Sequence, residues 1–577
     1  MQYFSRRAFL STSAAAAAGA SLQWTPELRA QMPVPAAATP LEQKLDAYIA
    51  SYMEAMNAPG LTLGLTGADK TLRTAGFGYA DVDKRAPVTT DHLFQIGSIT
   101  KSFVALLLLQ LRDEGKLDLR KPVLDYLPGL PIVTEFGPVT VHHLLTHTSG
   151  LPDNLTLFAA DPSARLIQGF KPGEHFHYCN AGFDILGLLA AKLDGRPWRM
   201  LVEERIFKPL AMSRTRGVIT TADRARAAVG YQPYWDDQVY PRQGKLAPAP
   251  NLVMDDTAGC IQSTPDDMAR YIRMLLNGGK GPAGRIVSEE GFGLFTTPYI
   301  KAEEFSPTAS YGYGIAVDTL DGHRILRHTG GMVAFASSIH VDLDGGAAAF
   351  ASINAMQGYR PTAVTEYAVK LIRAQREGKP LPAPATIADP MDVDNAADYA
   401  GIYTAPDGRT LEFAAKGKGL SLLDGERPIP LQRQGGDAFV STAASSYAAH
   451  AFAFGRKEEA KDPDPKKKLP LIEVSYGPDW FSGAKYEGPK SFHAPAHYGG
   501  FTGRYCCDSA WGGSAEVYIL KDQLTVDGTP LAPIGGALFR LGEEPWSPMT
   551  AEFLHMFEGK ARLMRLGGAD YWRVEVG

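Results

Sequence analysis

Cysteine is scarce in this chain. Four thiols (Cys179, Cys260, Cys506 and Cys507) among 577 residues are too few for a disulfide framework at this length. The adjacent Cys506 and Cys507 have Cα atoms about 3.8 Å apart, below the disulfide range, and the cysteine spacing fits no zinc site. The thiols read as packing groups. An excess of positive charge is also missing: 58 Lys and Arg against 63 Asp and Glu leave a net charge of -5, which excludes the basic footprint of a nucleic-acid binder. No apolar run reaches the roughly 18 residues of a membrane-spanning helix, so no integral span is expected. Gly-x-Ser-x-Gly is absent, which lowers an α/β-hydrolase reading. His142, His143 and His147 have no carboxylate or cysteine partner at ligand spacing, so neither a metal nor a cofactor is expected.

What is present is an ordinary globular composition, 45% hydrophobic and 21% charged, in a chain longer than one hydrophobic core usually holds. Arg6 and Arg7 precede an Ala-rich, weakly hydrophobic stretch and resemble a twin-arginine export signal, with cleavage after Ala30 and a periplasmic or secreted product. Residues 1–38 are therefore set aside as signal and leader. Helical spacing over Leu41 to Met56 is followed by strand-like runs at Leu61 to Thr66 and Thr71 to Tyr79. Helix and long loop fill residues 100 to 300. Strand-like runs return at Tyr311 to Leu320, Arg324 to His328, Ala334 to Asp342 and Ala347 to Asn354, before a helix at Thr362 to Arg376. Strands at both ends with helices between predict an α+β domain, 39–377, whose antiparallel sheet is flanked by helices and carries a helical subdomain. A Pro- and Ala-rich linker, 378–392, follows. Short strands and turns then dominate, and Tyr399-Ala-Gly-Ile-Tyr403 recurs as Phe501-Thr-Gly-Arg-Tyr505. The echo predicts two small β-barrel modules, 393–490 and 491–577, with a two-sheet sandwich as the alternative. The charge run Arg456 to Lys468 reads as a solvated loop.

Ser98-Ile-Thr-Lys101 opens the most apolar helical stretch of the chain. A serine and a lysine three apart share a helix face, with Cβ atoms about 5 to 6 Å apart. The run Ser102 to Leu111 is apolar nearly all round, as in a helix at a domain centre. Ser98 is thus expected at a buried helix N-terminus, where unpaired N–H groups favour developing negative charge. A second Ser-x-x-Lys, Ser482 to Lys485, runs into Gly488 and Pro489 and cannot start such a helix. Tyr178-Cys-Asn180 directly precedes a further apolar helix, Ala181 to Leu193. His328-Thr-Gly330-Gly331 ends a predicted strand. Cleavage of an amide or ester by serine needs a nucleophile, an activating base, a proton donor for the leaving group and donors for the oxyanion. These three groups can supply all four.

With those motifs in that order, residues 40 to 376 resemble the serine β-lactamase and penicillin-binding protein superfamily. Leu144 to Leu151 (LLTHTSGL) is similar to a stretch of its Tyr-x-Asn branch, which holds class C β-lactamases, esterases and D-amino-acid peptidases. The resemblance implies Ser98 as acylated nucleophile, Lys101 as its activator, Tyr178 as general base and later acid, and Asn180 as orienter of Lys101 and the substrate amide. It also implies His328 in the place of the third-motif lysine, Gly330 and Gly331 as substrate-binding backbone, and the N–H groups of Ser98 and Gly331 as the oxyanion hole. The three histidines around residue 145 become structural by the same resemblance. A neutral lysine or a tyrosinate at pH 7 needs a shift of roughly 3 units from ordinary values of about 10.4 and 10, so the two groups must be close and share a proton. Histidine at 328 removes a permanent cation that helps lactamases hold the drug carboxylate, which points toward peptide or ester cleavage. The expected function is an exported serine hydrolase of amide bonds, D-aminopeptidase-like in layout. A carboxylesterase, a class C-like β-lactamase and a non-catalytic ligand-binding or sensor protein are the alternatives. Its partner would be a small-molecule or peptide substrate, selected by loops between 150 and 300 and by any barrel loop that reaches the cleft. The sequence leaves the oligomeric state open.

Overall fold

The two ends of the region from residue 60 to 353 meet in one sheet. In the computed structural model, which describes residues 28, 31–153, 165–234, 238–356, 359–442, 446–457, 469–509 and 512–574, its strands are β1 (Gly60–Gly67), β2 (Thr71–Asp81), β3 (Ala86–Pro87), β4 (Ile300–Lys301), β5 (Ser310–Tyr311), β6 (Ala316–Leu320), β7 (His323–Met332), β8 (Phe335–Asp342) and β9 (Ala347–Ile353). Their spatial order is β4-β5-β6-β7-β8-β9-β1-β2-β3. β1 closes the sheet by pairing antiparallel with β9, Leu61 opposite Ile353.

The main helices are α1 (Pro40–Ala55), α2 (Thr100–Asp113), α3 (Asn180–Asp194), α4 (Pro265–Leu276) and α5 (Thr362–Arg376). α1 starts on a capping box between Thr39 and Glu42, with Pro40 at the first position. It covers one sheet face together with α5: Leu45 and Ile49 join Ala368 and Ile372 over Leu61, Leu63 and Leu65. The opposite face belongs to α2, α3 and α4, whose Phe103, Leu186 and Ile272 share a core with Ile339 and Phe350. With both faces covered, β1, β8 and β9 are buried at every residue, and apart from His340 and Asp342 of β8 they read as apolar or small runs.

One expectation is corrected. The run Tyr311 to Leu320 is not one strand; it breaks into β5 and β6 around Gly314, which takes φ +67 and donates its N–H to the carbonyl of Leu145. Gly314 sits in a turn closed by Gly312 N, which donates to Ile315 O at 2.8 Å, and this turn separates the two strands. Ahead of residue 39, Pro33 accepts from Gly78 N at 2.8 Å, and Gln31 accepts from the Tyr79 hydroxyl at 3.0 Å. The paired arginines and the cleavage position lie outside the described residues, as does most of the charge run beyond Lys457.

After α5 the chain forms two closed eight-stranded barrels, from Gly401–Thr404 to Asp479–Ser482 and from Gly503–Cys506 to Ala569–Val574, rather than a sandwich. The sequence echo is their shared entry. Gly401 and Gly503 take φ +141 and +144, and the tyrosine two residues on donates back four residues, Tyr403 to Tyr399 O and Tyr505 to Phe501 O. Inside the first barrel Phe413 packs on Phe452 and Phe454 with ring centroids 5.4 and 5.0 Å apart. Such interiors are filled by side chains, which weighs against a sensor holding its ligand there.

Candidate functional site

Ser98 lies in a one-turn 3-10 helix, Gly97–Ile99, that leads directly into α2. Gly97 and Ile99 are buried while Ser98 is half-buried, so Ser98 is the residue of this turn that stays accessible. Lys101, one turn further, is 0% exposed. Its Nζ donates to Ser98 Oγ at 3.1 Å, to Asn180 Oδ1 at 2.6 Å and to the carbonyl of Ala258 at 2.8 Å. The Tyr178 ring centroid is 4.8 Å from the same nitrogen. Ser98, Lys101, Tyr178 and Asn180, which the sequence reading joined only by motif, are therefore one cluster.

Tyr178 reaches this cluster because LLTHTSGL holds the preceding segment along its backbone. Gly169 N donates to Gly150 O, Gly173 N to Thr148 O and His177 N to His147 O. His147 accepts from Cys179 N at 3.0 Å through Nδ1 and stacks on the Tyr178 ring with centroids 4.2 Å apart. Cys179 is the N-cap of α3: its sulfur accepts from Gly182 N and donates to Pro152 O. Burial pushes this thiol far above its ordinary range, in keeping with packing rather than reactivity. The phenol of Tyr178 has no hydrogen-bond partner among the described residues. His142 pairs with the Tyr313 hydroxyl and His143 caps the helix Val141–Leu145, so all three histidines hold structure. No group of potential metal ligands forms among the described residues.

The opposite wall is the end of β7. Backbone meets backbone there: a Cβ on Gly330 would collide with Ile96 O, and one on Gly97, at φ +55, would lie 2.6 Å from Gly331 N. This contact brings the N–H-rich start of the α2 turn against Gly331. His328 is buried on the same strand, its Nε2 2.9 Å from the Tyr311 hydroxyl and its Nδ1 2.6 Å from Thr329 O. A carbonyl only accepts, so Nδ1 carries the hydrogen and Nε2 accepts from Tyr311. Desolvation, with the positive charge of Lys101 adding to it, pushes the imidazole down to about 3. It is neutral, and both nitrogens are engaged by the protein.

Sequence reasoning missed four side chains. Asp153, two residues after LLTHTSGL, accepts from Asn180 N at 2.6 Å and from Asn180 Nδ2 at 3.1 Å, which turns the amide oxygen toward Lys101. Arg360 brings a cation beside Gly331: its guanidinium occupies the space a Cβ there would need, and no carboxylate pairs with it among the described residues. Trp546, from a turn of the second barrel, stacks on His175 with centroids 4.4 Å apart and meets Phe170 edge-on. Met549 of that turn accepts from Asp153 N at 3.3 Å. A turn of the second barrel thus docks on the segment that delivers Tyr178. Of the four, only Asp153 lies beside a stretch the sequence marks, two residues after LLTHTSGL.

The family model described as Beta-lactamase matches residues 45–374. Protein Rv1367c of Mycobacterium tuberculosis is 29% identical over 298 residues, covering 45% of this chain and 73% of that protein. A penicillin-binding protein of Bacillus subtilis is 26% identical over 400 residues, 63% of this chain and 83% of its own length. Among solved structures, the octameric penicillin-binding protein homologue from Pyrococcus abyssi superposes with a TM-score of 0.52 at 25% identity, over 76% of this chain and 99% of that one. None of the described helices is long and apolar enough to cross a membrane.

Proposed function

Because the chain belongs to the Beta-lactamase family, we propose that it is a serine hydrolase that cleaves amide bonds of small peptides through an acyl-enzyme on Ser98. One observation carries the reading: the fully buried Lys101 Nζ bridges Ser98 Oγ and Asn180 Oδ1 beside the Tyr178 ring. Ser98 Oγ attacks the substrate carbonyl as its proton passes to Tyr178, and the carbonyl oxygen becomes an oxyanion against the N–H groups of Ser98 and Gly331. Collapse breaks the C–N bond, the amine leaves with the proton held by Tyr178, and water releases the acyl group by the same route in reverse. Asn180 orients Lys101 and the substrate amide. His328, neutral and engaged at both nitrogens, fixes Tyr311 and the strand instead of moving a proton. Arg360 supports a leaving group that carries a carboxylate, as a peptide does. The Arg6-Arg7 leader supports export to the periplasm or beyond. The test compares hydrolysis of a D-alanine anilide, a short p-nitrophenyl ester and a chromogenic cephalosporin, with Ser98→Ala as control. Turnover of the anilide that is lost in the control supports the reading. Turnover of the ester alone favours a carboxylesterase, and of the cephalosporin alone a β-lactamase.

A further inference from the structure

The short helix Val141–Leu145 ends on a residue whose type does not suit its backbone. Thr148 N donates to His143 O at 2.9 Å and His147 N to Leu144 O at 3.3 Å, the paired bonds of a Schellman cap. That cap needs one left-handed residue, and His147 supplies it at φ +57. Glycine, or less often asparagine, fills such a position without strain. Histidine is a strained choice there, and this one is 0% exposed.

Its hydrogen bonding is incomplete as well. Nδ1 accepts from Cys179 N at 3.0 Å, so in the neutral ring the hydrogen sits on Nε2. Nε2 is buried and has no partner among the described residues. Desolvation, with Lys101 adding to it, holds the imidazole well below its ordinary value, so the ring stays neutral. A left-handed backbone and an unpaired buried N–H both count against stability, and strain of this kind gathers at functional sites.

What the ring touches identifies its use. The Tyr178 ring is its nearest aromatic neighbour, 4.2 Å away between centroids at an interplanar angle of 29°. Tyr311, Phe183 and Phe176 follow at 4.9, 5.1 and 5.7 Å. Tyr178 has few other constraints: its phenol has no hydrogen-bond partner among the described residues, and Lys101 Nζ stands 4.8 Å from its ring centroid. Asparagine at 147 would suit the cap and still accept from Cys179 N, because its amide oxygen is bonded to Cγ as Nδ1 is. It would not supply a ring. We propose that His147 is a positioning residue for Tyr178, its imidazole face setting the plane of the phenol ring beside Lys101. No bond or proton changes hands at His147 itself.

The inference rests on the acyl-enzyme reading, and its test separates the two. Fluorophosphonate labelling of Ser98 is followed over a range of reagent concentrations, which separates reagent binding from the covalent step, and thermal melting is recorded on the same samples. His147→Asn, which suits the cap and loses the ring, is expected to melt within a few degrees of the wild type while the covalent step slows about tenfold and binding is unchanged. His147→Phe keeps a ring but leaves Cys179 N without an acceptor. It is expected to melt several degrees lower yet to label within about threefold of the wild-type rate. In a Tyr178→Phe background, His147→Asn is expected to cost no further rate, as for two residues that act through one contact. A native rate in His147→Asn, rates that simply follow melting in both variants, or a further loss of about tenfold in the double variant overturns the inference. Where His147→Asn does not fold, His147→Phe decides, and a loss of about tenfold despite the retained ring overturns it. An unlabelled wild type overturns the serine-hydrolase reading instead.

Discussion

A fully buried lysine with three oxygen acceptors concentrates the chemistry of this molecule into a few side chains, and the sharpest predictions belong to them. Lys101→Ala and Tyr178→Phe are each expected to lower kcat/KM by about 10²- to 10⁴-fold, measured on whichever substrate the wild type turns over. Asp184→Asn is expected to gain stability at alkaline pH, because burial and the neighbouring Asp256 disfavour the Asp184 carboxylate. The folded-state carboxyl is raised from 3.8 to about 7, so the folded protein binds the extra proton between those values and carries an unfavourable charge above them. The penalty is fully present above the folded value and fades as pH falls toward the unfolded one. Thermal melts should therefore place the variant above the wild type at pH 8.5, with the gap narrowed at pH 5 and closing only near pH 4. Ser98, Lys101, Tyr178 and Asn180 were legible because their spacing is a local property of the chain. Arg360 was not: a charged residue ahead of a helix looks like any solvated polar group until the fold sets it against Gly331.

At the scale of elements, the site depends on two pieces of backbone that touch, the turn before α2 and the end of β7. Gly330 is needed for that contact, since any Cβ would overlap Ile96 O. Gly330→Ala is expected to push the strand away, cost about 1 to 3 kcal/mol of stability and remove most labelling of Ser98, while denaturant titration still gives a cooperative transition. The long helices and the central strands were readable because period and length agreed over many residues: α5 begins and ends at the predicted Thr362 and Arg376. The failure at Tyr311 to Leu320 is equally physical. Alternation ran through Gly312-Tyr-Gly314, but a side chain at Gly314 would crowd the carbonyl of Lys101, 2.6 Å away. Tertiary contact with the site helix sets a left-handed turn where the local pattern reads as strand.

Across the whole molecule, the barrels are tied to one another and to the sheet domain by specific contacts. Lys521 of the second barrel reaches both carboxylate oxygens of Glu473 in the first, at 2.7 and 2.8 Å, beneath the rings of Trp480, Tyr486 and Phe492. Trp546 rests on His175, three residues before Tyr178. Trp546→Ala is expected to raise KM for peptide substrates several-fold while leaving labelling by a small fluorophosphonate near the wild-type rate, because the indole meets the delivering segment and not Ser98. The echo at Tyr399 and Phe501 announced two similar modules. The contact between residues 175 and 546 had no sequence signal, since it joins segments with no shared pattern. All of this converges on the hydroxyl at the start of α2. Peptide mapping by mass spectrometry after fluorophosphonate treatment is predicted to find one adduct, on Ser98, that disappears in Ser98→Ala. An unmodified Ser98, or an adduct on another serine that survives the substitution, would contradict the account.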